Sequence, residues 1–188
     1  MSYPNEYAII FSLPVNVRDE ISEFKRQFGD RYGYFDGVHS IGHITVGNVR
    51  IPSGMEEPFF AQLVESISEI ESFTFTIDGF DAFADSRTIF AHLEACESFE
   101  KIAEAFGQLV TLYHLRKSSR MIHTPHLTIA KGLERRIFNK AYCFEYSFKS
   151  YTRTFDAYEL TVLRRTSPER PFEVFKKLPL LDLYPVYS

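Results

Sequence analysis

Hydrophobic and polar residues follow two different periods along the chain, and each period predicts a different element. Apolar residues three or four positions apart are typical of an amphipathic helix, whereas short apolar runs and strict alternation are typical of strands. Helical spacing occurs in four segments: 17–28, 56–70, 99–115 and 133–142. Strand patterns occur at 7–13, 43–46, 73–77, 88–93, 126–129, 144–148, 157–163 and 172–178. Turn-rich or polar stretches predict connecting loops at 31–42, 49–58 and 117–120.

The order of these elements predicts the fold class. A strand, a helix, a strand, a helix and a strand pair are followed by a helix, a strand, a helix and further strands, so the second half loosely repeats the first. No linker rich in Gly, Ser or Pro separates the halves. The pattern therefore predicts an α+β protein in which residues 1–188 form one domain of two sheet-and-helix lobes sharing a cleft.

Composition and charge narrow the class of protein without identifying it. The chain has 188 residues, enough for a substantial core, and a formal net charge of −4, which argues against broad contact with duplex nucleic acid. A net charge of −4 is still compatible with a small local cluster of Lys and Arg side chains around one phosphate group. Cys96 and Cys143 lack metal-ligand spacing and predict no disulfide scaffold. No signal-peptide pattern and no apolar stretch of membrane-spanning length is found, so we expect a cytoplasmic protein.

Two of the predicted strands carry the same short motif, His-x-Thr-hydrophobic. The first copy is His43-Ile44-Thr45-Val46 and the second is His126-Leu127-Thr128-Ile129. Because successive side chains of a strand point to opposite faces, each copy places a histidine and a threonine on one face and two aliphatic residues on the other. Two copies with the same polar–apolar phase predict two matched strands that face one site.

Paired histidines of this kind suit the cleavage of a phosphodiester. The reaction needs a base for the attacking oxygen and an acid for the leaving oxygen, and histidine, with an ordinary pKa of about 6.5, serves in both roles. Thr45 and Thr128 would offer hydroxyl donors to the non-bridging oxygens, where negative charge accumulates. Lys131, just after the second motif, would add a positive charge near the same phosphate.

The paired motifs on a two-lobed frame resemble the 2H phosphoesterase superfamily, in particular its bacterial 2′-5′ RNA ligase-like branch, which also contains cyclic nucleotide phosphodiesterases. The resemblance covers nearly the whole chain, and around the second motif it extends from Pro125 to Lys131. The segments 7–13 and 172–180 are similar to the family's opening and closing strands. Lys131 stands where the family often has arginine, so a bidentate arginine clamp is absent at that position.

The resemblance implies a fold and a set of roles. The fold is a pseudo-symmetric pair of lobes, each with a mostly antiparallel sheet and outer helices, in which both motif strands face a central cleft. His43 and His126 would be the catalytic acid and base, and Thr45 and Thr128 would bind the phosphate, without a metal or another cofactor. The expected substrate is a nucleotide or RNA end with a cyclic phosphate or a 2′-5′ linkage, handled by hydrolysis or ligation. We expect a monomer that does not bind duplex DNA.

The remaining histidines are weaker candidates. His123 lies three residues before His126 and is either part of the cleft or, as its setting favours, part of a loop. A zinc site that uses both residues and a third ligand is an alternative, although the spacing matches no compact metal motif. Isolated histidines predicted to be surface or structural residues are His39, His92 and His114.

Several other residues have two interpretations each, and the function has three. Arg87, in a predicted loop, is either a substrate contact or a solvated side chain. Tyr32, Tyr34 and Phe35 are either base-stacking rings or packing residues, with packing favoured. The alternatives to the metal-independent phosphoesterase are a non-catalytic protein that binds RNA ends or nucleotides in the same cleft and a metal-dependent hydrolase.

Overall fold

A computed structural model describes residues 4–181, which form two antiparallel sheets and four α-helices. The helices are α1 (Val15–Tyr32), α2 (Glu56–Ile67), α3 (Glu97–Leu112) and α4 (Arg135–Phe144). The strands are β1 (Asn5–Ser12), β2 (His43–Ile51), β3 (Phe73–Phe83), β4 (Thr88–Leu93), β5 (Ser119–Met121), β6 (His126–Ala130), β7 (Thr152–Ala157), β8 (Glu159–Arg165) and β9 (Glu173–Pro179). Short 3-10 helices occupy Arg116–Ser118 and Tyr146–Phe148. No helix within the described range is long and apolar enough to cross a membrane.

The predicted α+β class with two sheets is confirmed. One sheet has the strand order β5-β2-β1-β8-β9 and the other has the order β6-β4-β3-β7, and all neighbouring strands are antiparallel. The two motif strands belong to different sheets, with β2 inside the five-stranded sheet and β6 at the edge of the four-stranded sheet. Helix α1 packs against β6 and helix α3 packs against β2, so each helix covers a motif strand.

Burial along the motif strands follows the predicted alternation. The four aliphatic motif residues are fully buried in a core to which both sheets and all four helices contribute, whereas the histidines and threonines are only half-buried. Burial of an aliphatic side chain is worth about 1.5–3 kcal/mol, so this phase holds each strand in one register. The polar pair of each motif is thereby directed away from the core.

A β-bulge follows the threonine in both motifs. Along β1 and β2 the pairing passes from Thr45 directly to Gly47, which leaves Val46 as the extra residue. Along β4 and β6 it passes from Thr128 directly to Ala130, which leaves Ile129 as the extra residue. Bulges bend a strand and re-aim neighbouring side chains. The repeat of the two halves thus extends to a local irregularity at the same place in each motif.

The prediction of a strand at 144–148 is wrong, and a real strand nearby was missed. Helix α4 runs on to Phe144, and a 3-10 helix follows in which only Tyr146 is buried. Phe144 and Phe148 are 82% and 80% exposed, so the alternation of aromatic residues there does not mark a core-facing strand. The strand that does lie beside β3 is β7, which buries only Phe155 and Ala157 and otherwise carries polar residues.

The second wrong prediction concerns the polar segment 117–120. It was predicted to be a loop, but its residues form a 3-10 turn and then β5, which pairs with Gly47–Val49 of β2. Strand β5 is short and has no buried residue, so its sequence carries no hydrophobic signal. Its hydrogen bonds to a buried neighbour, rather than its own side chains, make it a strand.

Candidate active site

Strand β5 and the connection that follows it bring the two motifs together. After β5, the amide of Ile122 donates to the carbonyl of Val46 over 3.0 Å, and residues 122–125 then lead directly into β6. The chain thus leaves the strand beside the first motif and enters the second motif within a few residues. His43 and His126 lie close enough that the charge of His43 acts on the pKa of His126.

Both imidazoles are fixed to the backbone in the same way. Nδ1 of His43 lies 2.8 Å from the carbonyl oxygen of Ile41, and Nδ1 of His126 lies 2.8 Å from that of Thr124. A carbonyl only accepts, so Nδ1 donates in each case and the lone pair of the neutral ring is on Nε2. Each motif therefore presents an oriented nitrogen that can take up or release a proton.

Both histidines favour the neutral form. Burial lowers the pKa of His43 below its ordinary value, and the nearby charges of Lys25 and Lys131 lower it further. Burial likewise lowers the pKa of His126, and Arg120 and His43 add to the effect. The hydrogen bonds to the carbonyls act in the opposite direction without cancelling it. At neutral pH the free protein therefore holds two bases, and adding a proton to one disfavours adding a proton to the other.

The two threonines occupy equivalent positions one pleat beyond the histidines. Both side chains are half-buried, on the same strand face as the histidine of their own motif. Within residues 4–181 neither hydroxyl is hydrogen-bonded to another protein group. Each is therefore free to donate to an oxygen atom of a bound ligand.

Positive charge dominates the surroundings of the two histidines, although the whole chain is acidic. Lys131 follows β6 and is exposed, and its side chain reaches the loop before β2, where an ideal Cβ at Gly37 would lie 3.6 Å from the Lys131 Cε. Lys25 lies in α1 and Arg120 lies in β5. Among the described residues, no carboxylate contributes to the pKa shift of either histidine. The site thus suits an anion.

Aromatic rings and a third histidine surround His126. Its ring centroid lies 5.0 Å from that of Phe83 and 5.2 Å from that of Phe90. His92 of β4 is its cross-strand partner, and the buried Nδ1 of His92 has no hydrogen-bond partner among the described atoms. Sequence reasoning missed these neighbours because their proximity depends on the β4–β6 register, which no local pattern encodes.

Lys25 was also missed, and here a signal existed. It lies on the apolar face of α1, four residues after Ile21 and three before Phe28, and it is buried with them. A lysine on the face of a helix that the hydrophobic residues mark as buried is rare, because burial penalises its charge. The helical pattern that located α1 therefore already marked Lys25 as unusual.

The weaker candidates lie in connections between helices and strands. His123 is exposed and lines a groove of about 970 Å³ beside α3, and His39 is exposed in the loop before β2. His114 follows α3 with a positive φ of 57°. The Arg87 guanidinium donates to the carbonyl of Leu133, so it ties the β3–β4 turn to the segment after β6. No group of three His, Cys, Asp or Glu side chains within residues 4–181 is arranged to hold a metal ion.

Structural contacts explain two of the three aromatic candidates at the end of α1 and in the loop that follows it. Phe35 is buried against Phe28, and the Tyr32 hydroxyl donates to Glu145 over 2.8 Å. Tyr34 is 79% exposed. Of these rings, only Tyr34 is free to meet a ligand.

Comparison with solved structures shows where this fold is found. E. coli LigT in complex with NADP+ matches with a TM-score of 0.70 and 16% identity, over 95% of this chain and 99% of that one. TT0787 of Thermus thermophilus matches with a TM-score of 0.66 and 17% identity over 95% and 100% of the two chains. Kluyveromyces marxianus Usb1 matches with a TM-score of 0.58 and 13% identity over 95% and 99%. No curated protein sequence matches the chain.

The family is set by sequence rather than by fold likeness. The model of the 2'-5' RNA ligase superfamily matches residues 13–169, a span that contains both histidine motifs and the segments that bring them together. The fold of these solved structures agrees with that assignment. The chain therefore belongs to the 2'-5' RNA ligase superfamily of 2H phosphoesterases.

Proposed function

We propose that the protein is a metal-independent phosphoesterase that acts on a 2′,3′-cyclic phosphate or a 2′-5′ linkage in RNA ends or small nucleotides. The observation that carries this proposal is the paired arrangement of His43 and His126. The two histidines lie on different sheets, a backbone carbonyl orients each ring, and cations lie nearby. Such a pair offers one proton acceptor and one proton donor on either side of an anionic substrate.

In the hydrolytic direction, one histidine removes a proton from water as its oxygen attacks phosphorus. The other histidine, protonated once the anionic substrate has bound, gives its proton to the ribose oxygen as the P–O bond breaks. The first imidazole ends with the proton that the second has lost, and exchange with solvent resets the pair. In the ligation direction the first histidine instead removes the proton of a 5′-hydroxyl group as its oxygen attacks the phosphorus of the cyclic phosphate. The second histidine gives its proton to the 3′-oxygen as the P–O3′ bond breaks, which leaves a 2′-5′ linkage.

Thr45, Thr128 and Lys131 are the proposed phosphate ligands. The two hydroxyls have no other protein partner within the described chain, and they lie beside the histidine of their own motif. The Lys131 ammonium is exposed on the side of the cleft where it acts on His43. Donors placed where charge develops stabilise the transition state more than the ground state.

The ligands of the E. coli structures support a nucleotide as the class of substrate. LigT has been solved in complex with 3'-AMP and with phosphate, in both cases with at least 94% of this chain aligned. A nucleoside monophosphate contains the phosphate that the proposed site would bind. It also contains a base, for which the exposed part of Phe83 and the Tyr34 ring are the available stacking surfaces.

Turnover of 2′,3′-cyclic nucleotides in the presence of a chelator tests the proposal. We expect the wild-type protein to hydrolyse at least one of the 2′,3′-cyclic phosphates of adenosine, guanosine, cytidine and uridine. We expect the His43→Ala/His126→Ala double variant to lose about 10²–10⁴-fold of that rate. Chelator-sensitive turnover that returns with zinc would instead indicate a metal-dependent hydrolase. Tight binding without turnover would indicate the non-catalytic protein that binds nucleotides in the same cleft.

A further inference from the structure

Lys25 is a buried ammonium without a counter-ion in the described part of the chain. Its side chain is 3% exposed, between the buried residues of α1. Nζ donates to the backbone oxygen and to Oγ of Ser40, over 2.8 Å in each case. Within residues 4–181 no carboxylate pairs with it, and the charge that acts on it is that of Lys131, another cation.

This placement is unfavourable for stability alone. Burial, followed by the positive charge of Lys131, lowers the pKa of Lys25 to about 8. An unbranched apolar side chain would fill the same space without the desolvation cost. The exposed Ser40 would then exchange its lysine partner for water. Packing therefore does not account for an ammonium group at this position.

The contacts of Lys25 lead directly to the first histidine. Ser40, its partner, immediately precedes Ile41, whose carbonyl accepts the hydrogen bond from Nδ1 of His43. Oγ of Ser40 also donates to the carbonyl of Gly37 over 2.7 Å, at the point where the Lys131 side chain lies against the loop. Residues 33–42 are thus held from one side by α1 and approached from the other side by the segment after β6.

The charges that face the two histidines are unequal. Groups from two other elements and the opposite motif face His43: Lys25 of α1, Lys131 after β6, and His126 of β6. Asp36 and His39 of the loop itself are exposed. His126 is faced by one exposed arginine, Arg120 of β5, and by His43. Two lysines therefore oppose protonation of His43, whereas one arginine opposes protonation of His126.

We propose that Lys25 is a positioning residue that anchors residues 33–42 beneath His43 and, through its fixed charge, makes His43 the base of the pair and His126 the acid. The inference rests on the proposed function for its catalytic part. Lys25 does not touch the substrate in this account. It acts through the carbonyl of Ile41 and through its field at the imidazole.

Removing the charge of Lys25 should change the pKa of His43, whereas the loss of a structural contact alone would not. Lys25 lowers the pKa of His43, so Lys25→Met and Lys25→Gln should both raise that pKa, by on the order of half a unit to one unit. The acid limb of kcat/KM should move to higher pH by the same amount. The pKa of His126 should change less. Gln retains a donor for Ser40 and Met does not, so a shift common to both variants comes from the charge.

The experiment is an NMR titration of the histidine side chains in the wild-type protein, the two Lys25 variants and Lys101→Met, a control that removes an exposed lysine of α3. We expect the His43 titration to shift in both Lys25 variants and to stay unchanged in the control. We also expect kcat to fall more than KM rises. The Lys25→Met variant should be at least as stable as the wild-type protein to thermal unfolding.

The titration needs no substrate, so its outcome is separate from that of the proposed function. A His43 pKa that stays constant or falls in both Lys25 variants would overturn the inference. A shifted His43 pKa in a protein that turns over no phosphoester would support the field of Lys25 while removing the proposed function. If Lys25→Met does not fold, Lys25→Gln alone gives the comparison.

Discussion

The imidazoles of the two motifs are held alike by the backbone but have different surroundings. Nδ1 donates over 2.8 Å to the carbonyl two residues earlier in both, and a bulge follows the threonine in both. The first histidine has two lysine ammonium groups beside it, one of them buried. The second lies against two phenylalanine rings, with another histidine opposite it across the strands.

In the proposed function, this difference is what would give the two histidines separate roles. The backbone repeat gives both histidines the same orientation and the same free nitrogen, so orientation alone cannot make one an acid and the other a base. Their protonation depends on nearby charge and burial, and these come from α1, β5 and the segment after β6 rather than from the motifs. An equivalent backbone is thus combined with an unequal electrostatic environment.

The largest expected effect separates the acid from the base. His43→Gln and His126→Gln should each reduce hydrolysis of a 2′,3′-cyclic nucleotide by about 10²–10⁴-fold. On a nucleoside p-nitrophenyl phosphate, whose leaving group departs without a proton, His126→Gln should recover most of its lost rate and His43→Gln should not. Steady-state rates of both variants on both substrates provide the measurement.

The wild-type protein on both substrates is the reference for this comparison, and circular dichroism checks that each variant is folded. Recovery by His43→Gln instead would reverse the roles assigned to the two motifs. Equal recovery by both would mean that the unequal charges do not divide the roles.

The threonines give the next largest effect. Thr45→Val and Thr128→Val keep the branched shape of the side chain but remove the hydroxyl donor. A hydrogen bond to a charged group is worth about 1.5–3 kcal/mol, so each change should reduce kcat/KM by roughly 10- to 100-fold. Near-equal losses of kcat/KM in the two variants would indicate that both motifs bind the phosphate in the same way. Unchanged kcat/KM in both variants would remove these hydroxyls from the site.

The two bulges differ in the residue that follows them, and this predicts an effect on stability. An ideal Cβ at Gly47 would lie 2.3 Å from Cε1 of Phe106, whereas the equivalent Ala130 already carries a buried methyl group. Gly47→Ala should lower the free energy of unfolding by about 1–3 kcal/mol through overpacking. Ala130→Gly should lower it by about 1 kcal/mol through lost burial and greater chain freedom. Denaturant unfolding measures both, and a Gly47→Ala variant as stable as the wild type would contradict the packing.

The smallest effect concerns the buried ammonium of Lys25, which lies in α1 beside the first motif. The pKa of Lys25 is about 8 in the folded protein and about 10.5 in the unfolded chain, so between these pH values the unfolded state binds more protons. Raising the pH from 8 to 10 should therefore stabilise the wild-type protein relative to Lys25→Met, by about 2 kcal/mol or less. Parallel denaturant titrations measure the difference, in which the contributions of other groups cancel. A difference that is constant with pH would show that Lys25 is not desolvated.

Local patterns predicted the parts of the fold that depend on local chemistry. Alternation located the motif strands and the phase of His43, Thr45, His126 and Thr128, because an exposed face opposite a buried one leaves a period of two in the sequence. The same reasoning failed where apolar residues alternate with polar ones but are not buried. Exposed Phe144 and Phe148 imitated a strand.

Non-local features of the site could not be predicted in the same way. Strand β5 has no buried side chain, yet it brings the motifs together through backbone hydrogen bonds. The positions of His92 and Phe90 beside His126 follow from a register that includes a bulge. Sequence separation hides the contact between Lys25 and Ser40 as well, because it depends on how a loop folds back on α1. The motifs and Lys131 can therefore be predicted from the sequence, but the contacts that bring most of the distinguishing environment to each motif cannot.

The most direct test of the paired-histidine site is the rate of 2′,3′-cyclic nucleotide hydrolysis in the presence of a chelator by the wild type, His43→Ala, His126→Ala and the double variant. Residues that act as a unit give non-additive losses. We expect each single variant to lose about 10²–10⁴-fold in rate and the double variant to be no slower than the slower single variant. Losses that multiply, or a single variant that keeps nearly the wild-type rate, would contradict the view that the two motifs form one active site.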